Sequence, residues 1–311
     1  MNRVSTVGNY SSILANLMAA QQRQIEAGNQ VSTEKKGSSL KDYAHSAEML
    51  TAMRAVDTRA AGYLEQNTLI ADKLTQQDSA LNQVADAAKG AREAIAEALA
   101  SGRVDTLMQD LQAQMNNAVE GMNARYGGKY LFAGGQIDTQ PVQASKMSQL
   151  TNPATVVFHN DQFVVQAKLD DSTTVDTGIL ADQIGQGLMT RLKQVQTYHE
   201  GNMGPLSGPF TGQMTDDQRT FLEGELKQWD TVYQNIVDVT GQNGLVQKRV
   251  DSVKDDVVSR QSALKGMIGD ITDVDMAEAI SRLQQAQMSV QAAAQVFSTL
   301  QQSSLLNILR S

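Results

Sequence analysis

The side chains most able to do chemistry are few in this chain and stand apart from one another. The three histidines, His45, His159 and His199, fall in three different segments, whereas a metal site needs ligands at short regular spacing or brought together by the fold. No cysteine occurs, which removes disulfides, thiolate ligands and cysteine nucleophiles together. The run Asp270-Ile271-Thr272-Asp273-Val274-Asp275 has the acidic alternation of a calcium loop. It lacks the central glycine and the bidentate glutamate at the twelfth position. Asp275 reads better as the N-cap of a final helix, with Glu278 three residues on completing a capping box, and Thr215 with Gln218 repeats the pattern. Gly185-Gln186-Gly187 misses the third glycine of a dinucleotide fingerprint and follows no convincing strand. The carboxylate pairs Asp170-Asp171, Asp216-Asp217 and Asp255-Asp256 are adjacent in sequence, so they diverge on a helix or strand and read as solvated faces. Asn9-Tyr10-Ser11 fits a glycosylation acceptor, which matters only in a eukaryotic secretory route. Walker A, nucleophile-elbow and zinc-protease motifs do not occur. No catalytic set, cofactor or metal is expected, and the chain does not read as an enzyme.

Composition points the same way. With 26 Lys and Arg against 34 Asp and Glu, the 311-residue chain carries a formal charge of −8. That balance argues against an electrostatic grip on nucleic acid. Aromatic residues are only 5%, little for an enzyme core of this length. No apolar run is long enough to span a membrane. The start, Met1-Asn2-Arg3-Val4-Ser5, has no apolar stretch of a secretory signal.

The elements that would position any site are long helices. All four prolines, Pro141, Pro153, Pro205 and Pro209, sit in one central stretch, and proline breaks helices. Before it, apolar residues from Met49 through Met53, Val56 and Ala60 to Ala98 alternate spacings of four and three, interrupted only by Asn67 and Gln77. Such heptads predict one long helix in a bundle or coiled coil, with Gly102 as its stop. A shorter stripe runs from Leu107 to Met122. Ahead of both, Ile13, Leu17, Ala20, Gln24, Ala27 and Val31 repeat the alternation, and Leu14, Met18 and Ile25 widen the apolar face. The C-terminal arm mirrors this from Leu222 to Ile268, although Gly241 and Gly244 weaken it, each by roughly 1 kcal/mol against alanine. A last helix carries Ala279, Leu283, Ala286, Val290, Ala293, Phe297 and Leu300, and ends in Leu305-Leu306-Asn307-Ile308-Leu309.

Between the arms the period changes. Val156 and Phe158, then Phe163, Val165, Ala167 and Leu169, alternate at period two about His159-Asn160-Asp161, which predicts a hairpin. Lys129 to Ala133 reads as a short strand between two glycine pairs, residues 179–199 as an amphipathic helix, and Glu200 to Gly212 as a loop. The expected fold is mainly α with a β-rich insertion: a long antiparallel helical bundle or coiled-coil rod made of both arms, around a central β-containing part. Its expected segments are 1–40 (first terminal helix), 41–125 (N-terminal rod), 126–212 (insertion), 213–270 (C-terminal rod) and 271–311 (last terminal helix).

Two segments carry a resemblance. Ile268-Gly269-Asp270-Ile271-Thr272-Asp273-Val274-Asp275-Met276-Ala277-Glu278-Ala279-Ile280, with the Ser304-to-Leu309 ending, resembles the signature around the last helix of the bacterial flagellin family. Gln30-Val31-Ser32-Thr33-Glu34-Lys35-Lys36 resembles the segment after that family's first helix, with Glu34 where glycine is common. Lys41-Asp42-Tyr43-Ala44 replaces the usual Asp-Asp-Pro or Asp-Asp-Ala. Tyr130-Leu131-Phe132-Ala133-Gly134-Gly135 and Thr139-Gln140-Pro141 are similar to the hook-associated branch, which forms the junction layer between flagellar hook and filament. The resemblance implies a structural protein outside the cell, exported without a cleaved signal by the flagellar type III machinery with an export chaperone. It implies as partners a ring of like subunits, flagellin and a hook-side junction protein, and no nucleic acid or membrane. Terminal helices in this family order on assembly. The expected subunit contacts are Ile13, Leu14, Leu17, Met18, Ile25, Leu283, Val290, Phe297, Leu300, Leu305, Leu306, Ile308 and Leu309. A filament flagellin, or a secreted helical adhesin using the insertion, are the alternative readings.

Overall fold

The proline-free arms fold as helices over nearly their full length. The computed structural model describes residues 3–309, with side chains over 11–299. Its helices are α1 (Arg3–Thr33), α2 (Ala47–Ser101), α3 (Leu107–Met122), α4 (Met147–Thr151), α5 (Ala181–His199), α6 (Asp216–Thr272) and α7 (Met276–Leu309). Its strands are β1 (Arg125–Tyr126), β2 (Lys129–Tyr130), β3 (Gln166–Lys168) and β4 (Thr174–Asp176). The fold is mainly helical with a small central β part, as the periodicity implies. The chain forms two compact units, one of residues 60–258 and one of residues 1–59 with 259–311.

In the unit of residues 60–258, the heptad stripes meet in one core. Leu81, Val84, Ala88 and Ile95 of α2 pack with Leu107, Leu111 and Met115 of α3, Ile184, Leu188 and Leu192 of α5, and Leu222, Trp229 and Ile236 of α6. Each such Leu or Ile stabilises by about 1.5–3 kcal/mol. Here α2 and α6 run antiparallel: the Arg92 guanidinium meets Asp230 at 2.5 Å, and the Asn243 side-chain amide donates to the Leu74 carbonyl at 3.0 Å. Helix α6 continues through Gly241 and Gly244 because Ile236, Asn243 and Val250, seven residues apart, are all buried. Thr215 and Gln218 cap it reciprocally: the Gln218 N–H donates to the Thr215 hydroxyl and the Thr215 N–H to Gln218 Oε1.

The polar interruptions of the α2 stripe have a task. Asn67 and Gln77 are fully buried, and their amides donate to the carbonyls of Leu169 at 2.9 Å and Thr177 at 3.1 Å. Gln66 reaches the Lys168 carbonyl and the Tyr63 hydroxyl reaches the Asp171 carboxylate. These bonds lay the β3–β4 hairpin along α2, over a small core of Leu74, Leu169, Val250, Val253 and Val257.

The insertion departs from expectation in its pairing. The hairpin expected about residues 159–161 does not form; Phe158 bridges Val142, and β3 pairs with β4, Ala167 opposite Val175. The turn belongs to Asp170, whose carboxylate accepts from the N–H groups of Ser172 at 2.8 Å and Thr173 at 2.7 Å. That local bonding outcompetes the His159-Asn160-Asp161 signal. The Asp161 carboxylate instead accepts from the N–H groups of Gly135 and Phe163, which hold it below the usual carboxylate range. The strand expected over 129–133 is shorter and pairs with β1 through Gly127-Gly128, both at positive φ (56° and 81°), as a two-residue hairpin turn requires. Helix α5 and the irregular 200–212 stretch fall where the pattern puts them.

In the unit of residues 1–59 and 259–311, α1 and α7 lie side by side, and α2 and α6 contribute their outer ends. The α2 stripe shifts by a residue here. Leu50 is buried, whereas Met49 and Val56 are about half exposed, so α2 buries a different face in this unit.

Candidate assembly surface

Helix α1 carries two apolar stripes with different fates. Ala20 and Ala27 are buried and Ile13 and Leu17 half-buried. On α7, Ala279 and Ala286 are buried and Leu283, Val290 and Phe297 half-buried. Ala27 and Ala286 share one groove of about 390 Å³, flanked by Arg23, Glu26, Gln30, Arg282 and Ser289. The helices are antiparallel, since the segment after α1 bonds to the segment before α7, and the alanines at alternate stripe positions let them approach closely. Five expected contact residues, Ile13, Leu17, Leu283, Val290 and Phe297, belong to this pairing stripe. The last helix thus has a partner within its own chain.

The second stripe stays open. Leu14 is 40%, Met18 62% and Ile25 57% exposed. They lie roughly 120° around α1 from the pairing stripe at 100° per residue. On α7, Ile280, Met288 and Val296 are also exposed, Met288 at 63%. The side chains of Leu300, Leu305, Leu306, Ile308 and Leu309 lie outside the described residues, although α7 runs to Leu309.

The segments before and after this helix pair clasp each other. The Lys36 N–H donates to the Thr272 carbonyl at 2.7 Å, and the Val274 N–H donates to the Glu34 carbonyl at 3.0 Å. Lys35 Nζ meets the Asp273 carboxylate at 2.5 Å, and Lys36 Nζ donates to the carbonyls of Asp270 and Ile271. The Tyr43 hydroxyl closes the corner on the carbonyls of Gly37 and Thr272. Lys35, then the Thr272 hydroxyl, hold the Asp273 carboxyl below its usual range. The calcium-like run is thereby spent on protein partners. Asp275 caps α7, accepting from the N–H groups of Ala277 and Glu278. The Glu278 carboxylate, expected to complete the capping box, pairs instead with Arg282 one turn on. The clasp joins residues some 240 apart, so local patterns could not show it. One signal did exist: Glu34, in the position where glycine is common, has φ +58°, the one non-glycine at positive φ among the described residues.

Elsewhere, ionisable groups serve packing. Glu225 of α6 is buried against Arg191 of α5 at 3.6 Å; burial pushes its carboxyl up and Arg191 partly offsets this. His199 accepts the Phe210 N–H through Nδ1. Among the described residues no three His, Asp or Glu side chains gather as metal ligands, and no helix is long and apolar enough to cross a membrane.

The second of these clasped end helices lies in a stretch of flagellin-like sequence. Residues 226–309 match the bacterial flagellin C-terminal helical region. The chain is 21% identical to flagellar hook-associated protein 3 of Salmonella typhimurium over 99% of this chain and 100% of that protein. Among solved structures, a protein of Vibrio parahaemolyticus described as a flagellar hook-associated protein is similar with TM-score 0.62 and 16% identity, over 75% of this chain and all of the other. Bacillus cereus FlgL is similar with TM-score 0.52 and 15% identity, over 71% of this chain and 99% of the other. The structural likenesses show the fold; the sequence matches support a structural role in the flagellum.

Proposed function

We propose that the chain is a subunit of the junction layer between flagellar hook and filament, where it templates flagellin polymerisation. It reaches that place outside the cell through the flagellar export machinery, with a chaperone and without a cleaved signal. The observation that carries the reading is the open stripe of Leu14, Met18 and Ile25 on a helix whose other stripe is already covered. Full burial of each such side chain by neighbouring subunits would contribute about 1.5–3 kcal/mol. Like subunits in a ring, a hook-side junction protein below and flagellin above are the partners that would supply this cover. The full-length similarity to hook-associated protein 3 supports the junction over the filament.

Gene deletion with immunogold labelling of isolated flagella tests it. The expected result is intact hooks, unpolymerised flagellin in the medium, and label only at the hook–filament boundary. Label along the filament would make the chain a filament flagellin instead.

A further inference from the structure

The chain has no cysteine and fourteen methionines, so methionine is its main oxidisable side chain. They divide unevenly. Met115, Met122, Met147 and Met189 are buried, all within residues 60–258, where Met108 and Met214 are half-buried and only Met203 is exposed, at 46%. Every described methionine of the other unit is exposed or half-buried: Met18, Met49, Met267 and Met288 are exposed, Met53 and Met276 half-buried. The two most exposed, Met18 at 62% and Met288 at 63%, lie on α1 and α7.

We infer that Met18 and Met288 are oxidation sites through which a peroxide blocks incorporation of the free subunit. This rests on the assembly reading above. The thioether sulfur attacks one peroxide oxygen; the O–O bond breaks, an S–O bond forms, and the peroxide leaves as water. Sulfur is oxidised by two electrons and the peroxide reduced by two. The product is a polar, chiral sulfoxide in place of a soft apolar side chain. Before incorporation both side chains are largely exposed. Afterwards the same positions would be covered, so a sulfoxide there would be a buried dipole without a partner. The buried methionines of the larger core react last because oxidant reaches them only on unfolding.

The test treats the purified full chain with limiting hydrogen peroxide, maps sulfoxides by peptide mass spectrometry, and measures incorporation onto isolated hooks lacking this protein. Met18 and Met288 should oxidise ahead of Met115, Met122, Met147 and Met189, and incorporation should fall at least about tenfold, within the range for burying an unpaired polar group. Methionine sulfoxide reductases with a dithiol should restore it. A Met18→Leu, Met288→Leu chain keeps the apolar faces, so it should incorporate normally and resist peroxide. Full incorporation of wild type oxidised at both sites, or a Leu variant as peroxide-sensitive as wild type, overturns the inference. Untreated wild type that never incorporates would instead overturn the junction reading itself, and this inference with it.

Discussion

Replacing Glu34 by glycine should stabilise the unit that holds both chain ends. Glu34 follows the last residue of α1 and has φ +58°. A side chain in left-handed backbone costs roughly 1–2 kcal/mol through its Cβ. Glycine removes that cost and returns roughly 0.5–1 kcal/mol through its freer unfolded chain. The Glu34 side chain is exposed, and the bond its carbonyl accepts from Val274 survives in glycine. The net gain should be about 0.5–1 kcal/mol. Glu34→Ala keeps the Cβ and should change little, and Glu34→Val should lose stability because a β-branched residue fits this region worst. Urea titration followed by amide exchange over α1 and residues 270–275 reads the effect on this unit. If Glu34→Gly destabilises, or alanine gains as much as glycine, the left-handed corner is not what holds the clasp.

Other substitutions probe the remaining elements. Leu74→Pro should prevent folding of residues 60–258, since Leu74 is 1% exposed within α2 and an interior proline costs about 3 kcal/mol or more; unchanged helical circular dichroism and melting would refute one continuous packed helix. Asn67→Ala, which leaves the Leu169 carbonyl without its donor, should cost about 1–3 kcal/mol and loosen β3–β4 first; equal amide exchange in wild type and variant would contradict it. The lowered carboxyl of Asp273 contributes stability that is full above the ordinary aspartate value near 4 and is lost as pH falls through the lowered one. Asp273→Asn should therefore flatten the acid limb of stability, by no more than about 1 kcal/mol because both partners are half exposed. A variant with the wild-type acid profile would remove the ion pair from the clasp.

Much of the architecture was legible because long helices write their buried faces into a repeat. The stripe from Ala60 to Ala98 marks the burying face of α2, and Thr215 with Gln218 marks a helix start. The legibility failed where competition is local or contact is distant. At Asp170, side-chain bonding to the next two N–H groups decides where the hairpin turns, and a period-two pattern cannot weigh that. At Met49 and Val56 the repeat gives no sign that the buried face has moved to Leu50. For the candidate surface, the repeat identifies apolar positions without saying which stripe the chain covers itself. Ile13 and Leu17 share sequence character with Leu14 and Met18, and only the α1–α7 pairing separates them. The clasp was half visible: both segments stood out as family signatures, but their mutual bonds span the chain.

Because the chain lacks cysteine, Met18→Cys places a single thiol on the open stripe, and its maleimide reactivity tests the assembly surface most directly. The purified subunit should label rapidly, as a position 62% exposed demands, and the same variant in isolated flagella should label at least about tenfold more slowly once neighbours cover the helix, a degree of protection that corresponds to about 1.4 kcal/mol. Equal rates in the two states would contradict burial of this stripe between subunits, whatever position in the flagellum the protein holds.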